Sequence, residues 1–243
     1  MVGDASSEGV ASRTSATSGR TGVRVHVSRS KYDRRVIRTV RGGVQDDERM
    51  SDEDLNVVEI CAGAGGQALG LERAGLRHVL AVEIDRDAAA TLRHNRPRWN
   101  VFEGDVRRVR GFEVPRTDIL AGGVPCPPFS MAGRQLGADD ERDLFPEALR
   151  LVEEIEPRAV LLENVRGLAT KRFAAYREAV LKRLAALGYE ADWRLVYSSD
   201  FGVPQLRPRF ILVAMKPSDW VNFAWPNPVG EAARVGNVLE DLM

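Results

Sequence analysis

The chain has 243 residues, 44% of them hydrophobic and 29% charged, enough to bury one substantial core with an appendage. Thirty-five basic residues balance 35 acidic ones, which excludes a uniformly basic nucleic-acid coat but leaves room for a local basic groove. No run approaches the ~18 apolar residues of a membrane span. Two cysteines, Cys61 and Cys126, build neither a disulfide scaffold nor a metal-ligand spacing, so no metal is expected and a reducing, cytoplasmic setting is the default.

Residues 1–22 are rich in Ser, Thr, Gly and Ala without apolar period, and Arg24, Arg29, Lys31, Arg34, Arg35, Arg38 and Arg41 follow. Residues 1–50 are therefore expected to form a disordered basic extension, either a solvated tail or an arm that touches nucleic acid. Met50, followed by Ser51-Asp52-Glu53-Asp54, also reads as a natural start. From residue 51 to 243 a single α/β domain is expected. Leu55–Ile60 predicts a buried strand, and a Gly-rich turn leads into a helix over Gly66–Ala74. His78–Val82 predicts a second strand and Arg86–Asn95 a second helix. Thr117–Ala121 is a further strand. Asp143–Ile155 is a helix with Leu144, Ala148, Leu151 and Ile155 on one face, ended by Pro157. Ala159–Leu162, Trp193–Tyr197 and Phe210–Met215 are strands, with a helix over Phe173–Leu187 closed by Gly188. This alternation predicts a doubly wound, mostly parallel sheet covered on both faces.

Two groups of residues fall at predicted strand ends, where open sheets place ligands. In the first, Cys61-Ala62-Gly63-Ala64-Gly65-Gly66 turns from strand to helix, and the glycines let the backbone approach a ligand. Such turns are common in α/β proteins, and two acids make this one more specific. Glu83 closes the second strand, 20 residues after Gly63, where an acid takes ribose hydroxyls. Asp105 follows the third strand, where a carboxylate accepts from an adenine amino group. No Lys-Ser/Thr phosphate loop accompanies them, which favours an adenosine cofactor without a phosphate clamp.

The second group begins with Gly122-Gly123-Val124-Pro125-Cys126-Pro127-Pro128-Phe129-Ser130, where three prolines stiffen the loop around one thiol. A lone cysteine is more often inert and buried. Here, however, Glu163-Asn164-Val165 puts an acid at the end of the next strand, and Gln205-Leu206-Arg207-Pro208-Arg209 puts two guanidinium groups at alternating positions. A nucleophile, a proton donor and an anion-orienting pair are the chemistry such a set supplies.

Together these residues resemble the DNA cytosine-5 methyltransferase family over about residues 55–243: the cofactor turn Cys61–Gly66, the acids Glu83 and Asp105, Pro125-Cys126, Glu163-Asn164-Val165, and Gln205 with Arg207 and Arg209. The resemblance implies the Rossmann-like sheet of S-adenosylmethionine-dependent methyltransferases, seven-stranded with one antiparallel strand. It implies cofactor contacts from Cys61, Ala62, Gly63, Gly65, Gly66, Glu83, Ile84, Asp105, Val106 and Pro125. It also implies that Cys126 attacks carbon 6 of a flipped-out cytosine, that Glu163 engages ring nitrogen 3, and that Arg207 and Arg209 orient Glu163 and nearby phosphate. Ser130, Arg134, Gln135, Arg142, Asn164 and Gln205 are implied substrate contacts, with double-stranded DNA as partner and the nucleoid as place of action.

Three positions depart from the family pattern. Cys61 stands where an aromatic is frequent, Ile84 where a larger side chain is, and Pro127 where Gln is common. After Phe210–Met215 only residues 216–243 remain, where the family continues into a target-recognition domain and two further motifs. Val238–Leu242 resembles the short helix ahead of that domain. The expectation is a catalytic domain cut before target recognition. Four arrangements stay open: one half of an enzyme completed by a second polypeptide, a truncated fragment that only binds cofactor, a non-catalytic binding protein, and a tRNA cytosine-5 methyltransferase. Restriction–modification and stand-alone roles are equally open.

Overall fold

A computed structural model describes residues 55–125, 143–230 and 233–240. The expected basic extension lies outside these residues. Seven strands form one sheet in the order β3-β2-β1-β4-β5-β7-β6. They are β1 (Asn56–Ile60), β2 (Arg77–Glu83), β3 (Val101–Glu103), β4 (Ile119–Gly123), β5 (Ala159–Val165), β6 (Glu190–Tyr197) and β7 (Pro208–Met215). The pairs among β1 to β5 are parallel, while β7 runs antiparallel to both β5 and β6. The doubly wound, mostly parallel sheet is as the alternation predicts, and its one antiparallel strand is as the resemblance implies.

The helices pack on both faces because the central strands are apolar on both. All five residues of β1 are buried. On one face lie α1 (Gly66–Arg73), with Leu71 against Val57 and Ala121, and α2 (Arg86–Asn95), with Ala89 and Leu92 against Ala81 and Val101. On the other, α3 (Phe145–Ile155) and α4 (Ala174–Ala186) bury Phe145, Ala148, Leu151, Val180 and Leu184 over Val58, Leu80, Leu120, Leu162 and Leu212. Each such leucine contributes roughly 2 kcal/mol by burial. Short turns α5 (Pro217–Trp220) and α6 (Val235–Val238) follow β7.

Local chemistry sets the helix ends. Asp85 caps α2 by accepting from the Ala88 N–H at 2.8 Å, and Arg93 and His94 sit at its carboxyl end, where the helix dipole favours cations. Glu156 closes α3 with a left-handed φ of 51°, and Pro157 prevents continuation.

The observed boundaries differ from the predicted ones for identifiable reasons. β4 starts at Ile119 because the Asp118 side chain turns back to accept the Asn56 N–H at 2.9 Å. β5 runs three residues beyond Leu162, because β7 pairs with it as far as Val165↔Arg209. The same partner extends β6 back to Glu190. Close contact between strands also fixes a residue type at Gly122: a Cβ there would lie 2.6 Å from the Ile60 carbonyl oxygen. Beneath α1 and α2, a buried pair joins Nε2 of His78 to Oε2 of Glu59 at 2.8 Å, with Trp99 stacked on the imidazole at 4.2 Å between centroids. No helix among the described residues is long and apolar enough to cross a membrane.

Candidate active site

The turn after β1 is built from left-handed backbone. Cys61, Gly63 and Gly65 have φ of 52°, 56° and 94°. Glycine takes such values without strain; Cys61 does not. The turn is tied to the end of β2 by Glu83, which is 7% exposed. Its Oε2 accepts from the Gly63 N–H at 2.6 Å and its Oε1 from the Asp85 N–H at 2.7 Å. About two acceptor sites remain on that carboxylate for an incoming donor. After β3, Asp105 opens a short turn, Val106–Arg108. Its Oδ1 accepts from the Arg107 N–H at 2.9 Å, and its Oδ2 lies 3.1 Å from Nη1 of Arg107.

These strand ends enclose a cavity of about 280 Å³. Six of the ten residues predicted for the cofactor line it: Cys61, Glu83, Ile84, Asp105, Val106 and Pro125. Ala62, Gly63, Gly65 and Gly66 are not among its lining residues and belong to the turn and helix start beside it. Ala62 packs with Leu92 in the small core under α2, and Gly66 begins α1. Ile84 is 68% exposed at the rim. Burial, followed by the charges of Glu83 and Asp105, pushes the Cys61 thiol up to about 12, so this cysteine is a neutral wall. Five lining residues were not among the ten predicted for the cofactor: Val82, Gly104, Arg107, Gly123 and Leu144. Arg107 was legible only as a neighbour of Asp105, and Leu144 only as one of the apolar residues of a helix. A larger hollow of about 360 Å³ lies between α3 and α4 on the other face of the sheet. Its charged residues are already paired, Arg150 with Glu147 and Glu154, and Arg183 with Glu153.

Across the ends of β4 and β5, Gly123 pairs in register with Glu163. Oε1 of Glu163 pairs with Nε of Arg209, whose Nη1 donates to the Pro208 carbonyl at 2.8 Å. Oε2 faces Gly123, 3.5 Å from where a Cβ would stand. Arg207 precedes β7 and is exposed, as is Gln205, and the Arg207 carbonyl accepts from the Ser198 N–H at 3.1 Å. Of the two arginines expected on Glu163, Arg209 is the one paired with it.

Asn164 departs from its expected role as a substrate contact. It is 3% exposed, its amide donates to the Val124 carbonyl at 2.8 Å, and its oxygen accepts from the Val165 N–H at 2.8 Å. A side chain committed twice to main chain holds the loop rather than a ligand. Beyond it, the Leu144 N–H meets the Pro125 carbonyl at 3.4 Å, and Asp143 accepts from Phe145 and from the Tyr176 hydroxyl at 2.6 Å. Cys126, Ser130, Arg134, Gln135 and Arg142 lie outside the described residues. Among the described residues, no group of three or more His, Cys, Asp or Glu could hold a metal.

A seven-stranded sheet with β7 antiparallel, a glycine turn and two acids at successive strand ends define the S-adenosylmethionine-dependent methyltransferase class of fold. The chain belongs to the C-5 cytosine-specific DNA methylase family, whose sequence model matches residues 55–242. It is 58% identical over 188 residues to type II methyltransferase M.NgoMIV of Neisseria gonorrhoeae, covering 76% of this chain and 60% of that protein. It is 59% identical over 194 residues to type II methyltransferase M.NaeI of Lentzea aerocolonigenes, covering 79% and 47%. Among solved structures, it matches a DNA modification methyltransferase encoded within an Escherichia coli prophage at TM-score 0.65 and 30% identity, over 76% of this chain and 54% of that one. The fold is also that of Spodoptera frugiperda DNMT2, at TM-score 0.56, 24% identity, and 71% and 52% coverage. The chain spans about half the length of the curated relatives it matches.

Proposed function

We propose that this chain is the catalytic domain of a DNA cytosine-5 methyltransferase acting in the cytoplasm on nucleoid DNA. The single observation that carries the reading is the linkage through Asn164. That side chain ties Val124, two residues before Cys126, to the strand that bears Glu163, while Pro125 lines the cavity of Glu83 and Asp105. The acid and the cofactor cavity are thereby tied to the residues that lead, in sequence, to Cys126.

The cavity fits an adenosine cofactor. A Cβ at Gly63 would meet nothing within 4 Å, so the turn is open to a ligand. Two carboxylates suit hydroxyl and amino donors and repel phosphate. The aliphatic walls of Ile84, Val106 and Leu144 suit a purine face. S-adenosylmethionine, when bound there, supplies an electrophilic methyl group on sulfonium sulfur. Glu83 would hold the ribose hydroxyls and Asp105 the base.

The chain's own groups prepare the acceptor. A cytosine leaves the duplex stack at a cost of about a few kcal/mol. The Cys126 thiol gives its proton to water and the thiolate sulfur adds to ring carbon 6; the carbon 5–carbon 6 double bond opens toward ring nitrogen 3 as an enamine, which makes carbon 5 electron-rich. Glu163, held at Oε1 by Arg209, presents Oε2 toward the nucleophile loop to engage ring nitrogen 3. Ser130, Arg134, Gln135 and Arg142 would contact the substrate from that loop. The relatives named type II methyltransferases favour DNA over tRNA as the substrate.

Trapping tests the reading. Duplex DNA containing 5-fluorocytosine and S-adenosylmethionine is mixed with the chain, alone and with the unmatched half of M.NaeI supplied as a second polypeptide. The fluorine blocks release of the base. A covalent band lost in Cys126→Ala is expected in at least one arm, and its absence from both overturns the assignment.

A further inference from the structure

Among the described residues, Arg107 is the one charged side chain lining the cavity that no step above uses, and its geometry is specific. It holds Asp105 twice over. Its main-chain N–H donates to Oδ1 at 2.9 Å, and its guanidinium reaches Oδ2 at 3.1 Å. The Arg107 carbonyl is in turn fixed by Nη1 of Arg110 at 2.7 Å, so the turn that carries both partners is itself tied down. Both Asp105 and Arg107 line the cavity, and the charge of Arg107 is felt at the Cys61 thiol on the opposite wall.

A folding role explains this poorly. The two side chains are 43% and 32% exposed, and ion pairs at that exposure contribute about 0–1 kcal/mol. Orientation explains it better. An unrestrained aspartate rotates about its side-chain torsions and offers its lone pairs in many directions. With one site on each oxygen occupied by Arg107, the carboxylate plane is fixed and one further acceptor site remains on each oxygen. A fixed acceptor distinguishes two purines that differ at a single position. A 6-amino group donates to it, whereas a 6-oxo group sets oxygen against oxygen. Sites built to hydrogen-bond one group reject the analogue that lacks it far more strongly than apolar sites do. None of the described residues that line the cavity is aromatic. Among the described lining residues, base choice falls on this polar edge.

We propose that Arg107 is a positioning residue that acts through Asp105 to make the cavity selective for a 6-amino purine. The inference rests on the cofactor reading above. Its test is calorimetric titration of the chain with S-adenosylhomocysteine and with S-inosylhomocysteine, for the wild type, Arg107→Met and Arg107→Lys. The measured quantity is the ratio of the two affinities within each variant, so partial loss of folded protein cancels. The wild type is expected to prefer the adenine compound by about 30-fold or more. Arg107→Met should reduce that preference to about threefold or less, and Arg107→Lys, which keeps a cation beside Oδ2, should retain most of it. A preference unchanged in Arg107→Met overturns the inference and leaves the cofactor reading standing. Failure of the wild-type chain to bind S-adenosylhomocysteine overturns both.

Discussion

Replacing Gly63 and Gly65 singly with alanine separates ligand space from folding space within one turn. Both glycines have left-handed φ, 56° and 94°. An L-residue there costs about 1–2 kcal/mol, partly offset by about 0.4–1 kcal/mol because alanine restricts the unfolded chain. The surroundings then differ. At Gly63 the new Cβ meets nothing within 4 Å, so the net loss of stability is about 1 kcal/mol. At Gly65 it would stand 2.8 Å from Cδ2 of Leu92, a residue only 2% exposed in the core under α2. Overpacking of that kind adds about 1–3 kcal/mol, for a total of about 2–4. Urea unfolding of both variants measures the difference. Titration with S-adenosylhomocysteine should reverse the order relative to stability: Gly63→Ala, nearly as stable as wild type, should lose about tenfold or more in affinity, because its methyl group enters the open side of the turn. Equal stability of the two variants, or wild-type affinity in Gly63→Ala, would refute the assignment of that space to a ligand.

Glu156→Gly relieves an exposed left-handed residue at the end of α3 and should stabilise the chain by up to about 1 kcal/mol, read as a raised urea midpoint. His78→Ala strands a buried carboxylate beneath Trp99 and should cost about 3 kcal/mol or more in the same assay; a loss below about 1 would show that Glu59 finds another partner. The Cys61 thiol, raised from 9.0 to about 12, should react with iodoacetamide at pH 8 at least about 100-fold more slowly than a peptide thiol, followed by mass spectrometry of the Cys61 peptide. Its pH linkage has a definite sign. The folded chain keeps a proton that the unfolded chain releases, so this contribution is complete below pH 9 and is lost as pH rises toward 12. Cys61→Ala should flatten that part of the stability profile.

The sheet was legible because its central strands are continuous apolar runs separated by helices with clear stops. Arg86–Asn95 carries a capping aspartate and a basic final turn, and was placed to the residue. The errors share a cause. Glu163 and Asn164 look like the end of a strand by hydropathy, but a ladder persists wherever a partner offers hydrogen bonds, and β7 does so to Val165. Contacts between distant residues were the least legible. Arg209 rather than Arg207 on Glu163 depends on where β7 begins. Asn164 on Val124 depends on a loop turning back, and Glu59 beside His78 depends on the register of β1 with β2. Local patterning holds none of these. What it did hold was the set of residue types at strand ends, which is why six of the residues singled out for the cofactor line the cavity, while five other lining residues, Arg107 and Leu144 among them, were not singled out.

The place of β7 has a consequence for the order in which the protein becomes reactive. Among the described strands it is the last in sequence, yet it is inserted between β5 and β6. Glu163 is made early and waits on an open sheet edge until Arg209 arrives on the closing strand. A nascent chain that has emerged only as far as β6 carries the thiol and the acid but not the cation that orients the acid. The pairing of Glu163 with Arg209 therefore arrives in one step with completion of the sheet, and a polypeptide clipped before β7 lacks it.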